Sequence, residues 1–436
     1  MVFPVHNLMI RKASILYILL VAFPIISYIL VVVYFSKNIP YWDDYDTVLA
    51  YLNEDALARS QVLFHQHNEH RIFWNRLVVE GYYFLFRDID FKNLIFLGNL
   101  GLLLFVLIFF NLFKSQSVEI VLFVPILYLI FQPQSWENIT WATASLQNHY
   151  IILFAFMSFY LWNKERYIGY IFAVLFGVLA AYTSANGMLV LFIIFFWEIL
   201  KTIIDYKNQN YSSVFSRLKL LSFLLITITF MCLLYLKNYT SPDPHRSFIK
   251  NLLSYNFLSQ YILIFLGSFV GINKITASLF GLLQLVLFFY ITYSKYYQRN
   301  PVNYLLFIFL LLSAFMIALG RLDFGVEQAL SSRYRIISIL FLVVLYFAIA
   351  EIWPRILLKK PILVAIIIFS FLFNIGSQIF SFKYLTERKE ALEKIKEWPQ
   401  TGKGLNYPNQ ERANLIMKHS VKKGVYRPSG LEEARY

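Results

Sequence analysis

The chain has 436 residues, of which 59% are hydrophobic, 19% aromatic and only 15% charged, with a formal net charge of +14. So much apolar surface excludes a water-soluble globular enzyme, and no nucleic acid is expected as a partner. The Lys and Arg excess fits a protein that handles anionic membrane lipids, or basic inner loops that merely set topology. The lone Cys232 can form no internal disulfide.

Apolar runs of about 15–22 residues recur from end to end, the length that crosses a hydrocarbon core of about 30 Å. They predict an all-α polytopic membrane protein. The first run, Ser14 to Phe35, follows Arg11 and Lys12. It is too long for a signal-peptide core and no small-residue cleavage site follows, so a retained anchor with its N-terminus inside is expected. Further spans are predicted over 93–113, 118–132, 148–162, 167–183, 186–203, 218–236, 276–294, 302–319, 336–352 and 361–380. The stretch 257–272 is read as a re-entrant or membrane-surface helix, because that choice puts the basic "SKYYQRNP" (294–301) and "PRILLKK" (354–360) inside. About eleven crossings result, with a small charged tail, 381–436, on the outer face. Within it "TERKEALEKIKEW" (386–398) reads as an amphipathic helix. A tail of that size builds little core alone, so it is expected to pack on the outer loops.

The first outer loop, 36–92, opens on "YWDDYDTV" (41–48), with Asp43, Asp44 and Asp46 close together. A carboxylate at the membrane face can serve as a general base, and neighbouring acids raise one another's pKa or hold a divalent cation such as Mg or Mn. Equally, Asp44 or Asp46 can cap a helix beginning near Thr47. "FHQHNEHR" (64–71) then gathers His65, His67 and His70 beside Glu69 and Arg71. That spacing fixes no third zinc ligand, so a polar substrate, or a phosphate held by Arg71 and a histidine, is the expected occupant. Over 69–88 a helix is predicted with Glu69, Arg76, Glu80 and Arg87 on one charged stripe and aromatics opposite, lying along the membrane.

Further along, "QPQSWENITWATASLQNH" (132–149) places Trp136 and Trp141 around Glu137 and Asn138. This reads as a carbohydrate subsite or as the interfacial aromatic belt. "TSANG" (183–187) is a tight outer turn, a plain connection whose Asn186 would face the same cavity. In "GRLDFGVEQALSSRYR" (320–335), Arg321, Arg333 and Arg335, with Tyr334 and Ser332, form a phosphate clamp or pair with Asp323 and Glu327.

This layout resembles the GT-C superfamily of membrane glycosyltransferases. A first transmembrane helix leads to the acidic "WDDYD" (42–46) at the start of a long outer loop with membrane-surface helices, and a tail lies on the same side. "HNEHRIFW" (67–74), "SWENITW" (135–141) and "SRYR" (332–335) are similar to bacterial GT-C-like proteins of surface-polysaccharide assembly. The resemblance implies an inverting transfer of sugar from a polyprenyl-phosphate carrier to a glycan or glycolipid acceptor, outside a bacterial cytoplasmic membrane. Asp43 or Asp44 would be the base. Arg321, Arg333 and Arg335, with Arg71, would hold the carrier phosphate beside Tyr334. Asp46, Trp136, Glu137, Asn138, Asn186 and the His67–Glu69–His70 segment would line the sugar and acceptor site. No organic cofactor is implied, and a divalent cation remains an option. The rivals are a glycan polymerase or ligase, and a lipid-linked-sugar flippase. Charges gathered at span ends, with no internal repeat, argue against the flippase.

Overall fold

In hydrocarbon every backbone N–H and C=O must be satisfied within its own segment, so the long Leu-, Ile- and Phe-rich runs fold as helices. The computed structural model describes residues 4–240, 248–271 and 273–428, which are almost entirely helical. Among them, nine helical stretches are long and apolar enough to cross a membrane. The chain is an all-α multi-pass membrane protein. Two of the spans expected from the sequence fall outside those nine. Ala142–Trp162 is long enough, but Gln147, Asn148 and His149 make its first turns polar, and Tyr167–Ala181 has only 15 residues.

The elements that build the site are, in chain order, α1 (Pro4–Phe35), α2 (Phe73–Phe86), α3 (Phe91–Ser115), α4 (Ala142–Trp162), α5 (Tyr167–Ala181), α6 (Leu189–Lys207) and α7 (Tyr211–Leu236). They continue with α8 (Tyr255–Leu266), α9 (Lys274–Tyr293), α10 (Pro301–Arg321), α11 (Ser332–Ile352), α12 (Lys360–Glu393) and α13 (Gln410–Lys422). One end of the bundle is tied by charge. Buried Glu198 accepts from Trp162 Nε1 and Arg217 Nη1, while Arg217 Nε also reaches Asp205 at 2.7 Å, joining α4, α6 and α7. The first loop, the turns after α5 and α10 and the C-terminal segment gather at the opposite end.

Helix α8 has both its ends there. Ahead of it Asn251 Nδ2 donates to Leu319 O, near the end of α10, and at its last residue Leu266 O accepts from Ser338 Oγ in the second turn of α11. Twelve residues rise only about 18 Å. Gly271, at φ +71, turns the chain back into α9, and two glycines bring the α8–α9 hairpin to backbone contact. A Cβ on Gly267 would sit 1.8 Å from Ala277 O, and one on Gly281 would sit 1.9 Å from Leu263 O.

The amphipathic pattern over 69–88 needs correcting. Helix α2 begins only at Phe73; Glu69 lies in the turn of a small hairpin (β1, Gln66–His67; β2, His70–Arg71), and Arg87 ends the helix in the left-handed region. Arg76 and Glu80 face inward. Arg76 Nη1 donates to Val62 O and His65 O, and Glu80 pairs with Arg59 at 2.6 Å. Leu77, Phe84, Leu85 and Phe86 are the exposed large apolar residues of α2. The charged stripe packs against the loop because loop carbonyls, which need donors, lie on that side.

Helix α12 runs on without a break past the predicted end of its span, so 386–398 is no separate helix; its first eight residues complete α12. The C-terminal segment then folds over the first loop. Trp42 N donates to Asn406 O at 2.8 Å, Ser420 Oγ to Asn53 Oδ1 at 3.0 Å, and Ile89 bridges to Tyr426. The end of the predicted tail, 429–436, and position 272 lie outside the described residues.

Candidate functional site

A cavity of about 830 Å³ opens at this end of the bundle. Its mouth is polar, with Asp43, His67, Glu69, His70, Arg321 and Arg333, and its deeper wall is apolar, with Ile151, Phe309 and Ile337. Such a cavity can seat an amphipathic ligand, head at the mouth and apolar part inside.

The three clustered acids part ways. Asp43 faces the cavity, its side chain about one-third exposed, with His67 Nε2 3.6 Å from Oδ1. Its backbone carbonyl accepts from Thr47 N and Oγ1 at 2.8 Å each, so a local helical turn anchors it. Asp44 points the other way and is 1% exposed. Its Oδ1 accepts from Thr143 N (2.9 Å) and Thr143 Oγ1 (2.6 Å), and Oδ2 from Tyr41 N (3.1 Å). These bonds cap the first turn of α4 and hold the carboxylate outside the cavity lining. Burial pushes the Asp44 carboxyl up to about 7, with the Asp43 charge the smallest contribution, so the expected mutual effect of neighbouring acids is secondary. Asp46 leaves the site altogether. Arg412 Nε and Nη2 reach its Oδ1 at 3.0 and 2.6 Å, and Tyr407 OH its Oδ2 at 2.6 Å.

The hairpin supplies a relay. His70 Nδ1 accepts from Ala185 N at 3.1 Å, which puts the proton of the neutral ring on Nε2, 3.5 Å from Glu69 Oε1. Burial holds the imidazole below its ordinary pKa. Glu69 in turn pairs with Arg321. Asn186 also lines the cavity, donating to Ser313 Oγ at 3.0 Å.

Four of the expected substrate contacts, Arg71, Glu137, Asn138 and Trp136, are engaged by partners within the chain. Arg71 is buried, giving its guanidinium to the carbonyls of Tyr235 (2.6 Å), Phe64 (2.7 Å) and Lys237, so it staples the hairpin to the end of α7. Glu137 accepts from Ser332 Oγ (2.5 Å) and Arg333 N (3.1 Å), capping α11. Asn138 joins Arg333 O to Asn148 Nδ2, both at 2.8 Å. Trp136 lies parallel to Tyr384 at 6.1 Å and is outside the cavity lining; Trp42 and Trp141 line it instead.

The arginines also separate. Two positions on a helix differ by about 200°, so Arg333 and Tyr334 line the cavity while Arg335 faces Phe380, donating to Leu330 O at 3.2 Å. Arg333 lies 5.6 Å from the Trp141 ring and 3.7 Å from Glu137. Among the described residues no group of three or more His, Cys, Asp or Glu is arranged to hold a metal ion.

Gln147 and Asn148, from the stretch read as a carbohydrate subsite, line the cavity; sequence reasoning passed over Gln328, which lines it too, and Arg388. Arg388 projects from α12 into a cage of Tyr41, Trp136 and Trp141, at 3.7, 5.5 and 5.9 Å from the rings, and is 6% exposed. Its Nε, Nη1 and Nη2 meet no acceptor among the described residues. A desolvated cation–π contact offers about 2 kcal/mol, whereas each buried unmet donor costs roughly 1–3 kcal/mol. The cage leaves all three donors unmet. In the sequence, Arg388 is one charge in a "TERKE" run and looks solvated.

No protein-family model, no curated protein and no solved structure matches the chain.

Proposed function

We propose that the chain is an inverting glycosyltransferase of the GT-C type, moving a sugar from a polyprenyl-phosphate carrier to a glycan or glycolipid acceptor. Eleven crossings, counting α4 and α5, would place the cavity outside a bacterial cytoplasmic membrane. The observation that carries the reading is Asp43, a carboxylate facing an amphipathic cavity that it shares with His67, Arg321 and Arg333. Asp43 takes the proton of the acceptor hydroxyl as that oxygen attacks the anomeric carbon. The bond from that carbon to the carrier oxygen breaks, and the phosphate leaves with the electron pair. Arg333 offsets the growing charge, with Arg321 already engaged by Glu69. His67 orients Asp43, and the exposed Trp42 offers a face to a sugar ring. No step requires an organic cofactor, and none is routed through a cation.

The test is sugar transfer in membranes supplied with polyprenyl-phosphate sugar, comparing Asp43→Asn with Asp44→Asn. Loss of a general base lowers the rate about 10²–10⁴-fold, so Asp43→Asn abolishes transfer in a chain that still inserts. Asp44→Asn keeps measurable transfer and lowers thermal stability. Undiminished transfer by Asp43→Asn would sink the proposal.

A further inference from the structure

Five hydrogen-bond donors on Trp141 and on the two arginines over its ring are left without partners. Arg388 Nε, Nη1 and Nη2, Trp141 Nε1 and Arg333 Nε are buried and meet no acceptor among the described residues. The guanidinium carbons of Arg333 and Arg388 lie 5.6 and 5.9 Å from the same indole ring. The nearby carboxylates are already committed: Asp44 to Thr143 and Tyr41, Glu137 to Ser332 and Arg333. Neither supplies Arg388 with a hydrogen bond. A buried set of donors with no acceptor lacks a counterpart made only of acceptor oxygens. A guanidinium fork matches the two-oxygen edge of a phosphate.

We propose that Arg388, with Arg333 and the Trp141 indole N–H, forms an anion subsite that takes a phosphate group. Trp141 is the door. It belongs to the cavity lining and to the Arg388 cage alike, so an anion entering from the cavity reaches Arg388 by turning the indole aside. Tyr41, stacked on Arg388 at 3.7 Å, keeps the cation desolvated until then. In the transferase reading this is where the carrier phosphate goes. The site is argued from the donors alone, and its test needs no turnover.

The test uses the full chain in phosphatidylcholine nanodiscs, followed by tryptophan fluorescence. One arm adds inorganic phosphate; the other incorporates polyprenyl monophosphate in place of some phosphatidylcholine. A saturable change with either probe supports the subsite: free phosphate alone points to the headgroup chemistry, the lipid alone to a membrane-held phosphate. The change disappears in Trp141→Phe. Arg388→Met weakens binding at least about tenfold, the loss of one charge-assisted contact, while its melting temperature holds or rises because an unmet buried cation is gone. No response from the wild type to either probe, a response that persists in Trp141→Phe, or unchanged affinity in Arg388→Met overturns the proposal. Should the Met variant fail to fold, Arg388→Lys decides: it keeps the charge without the fork, and wild-type affinity there overturns the proposal. Sugar transfer lost in Asp43→Asn with phosphate binding intact would separate the two readings.

Discussion

Burial lifts the Asp44 carboxyl from 3.8 to about 7, while Asp43 beside it faces the cavity. The folded state therefore binds a proton that the unfolded chain has already released, so this group's contribution to stability falls as pH rises from about 4 to about 7 and is flat above. Asp44→Asn cannot titrate. Melting temperatures of wild type and Asp44→Asn across that range should show a shallower decline in the variant; parallel curves would refute the assignment. Arg71 gives a second prediction. Arg71→Ala leaves the carbonyls of Phe64, Tyr235 and Lys237 without a donor, and should cost about 2–4 kcal/mol, read as a drop in melting temperature with or without substrate. The acids at 43, 44 and 46 were visible as a cluster, but their division was not. Asp44 is claimed by Thr143 and Asp46 by Arg412, partners far along the chain.

Among the elements, the α8–α9 hairpin depends on backbone contact. Gly281→Ala forces a methyl into Leu263 O, and overpacking of this kind costs about 1–3 kcal/mol; Gly320→Ala, with nothing within 4 Å, serves as the neutral control. Equal melting temperatures for the two variants would remove the close contact as a determinant. The pair Arg412–Asp46 belongs to this scale too. Arg412 is more than half exposed, so solvent screens it and Arg412→Ala should cost no more than about 1 kcal/mol. Periodicity found the helix of 73–86 but mistook its charged stripe for a water face. A pattern records which residues share a side; it does not record that loop carbonyls wait there for Arg76.

For the whole molecule, hydropathy was enough to identify a bundle of membrane-crossing helices, because in lipid the backbone leaves few alternatives. It was weakest for α4, whose early turns carry the amides that line the cavity. Function dilutes the apolar signal where the site is built. Arg388 was illegible for a related reason: its cage takes Tyr41 from the loop after α1 and Trp136 and Trp141 from before α4. No local window contains all three.

Trp42 holds a left-handed backbone at φ +47, a conformation costing a bulky residue about 1–3 kcal/mol, and its N–H is tied to Asn406 O. Asp43 follows directly. During synthesis the chain emerges from its N-terminal side, so the acid is made before the carbonyl that steadies the residue ahead of it, which follows 364 positions after Trp42. A chain stopped after Thr401 should insert its helices and still lack a fixed acid at the cavity mouth. Competence would then be conferred only once Asn406 has been made, and a copy stopped short of it would sit in the membrane without acting on anything.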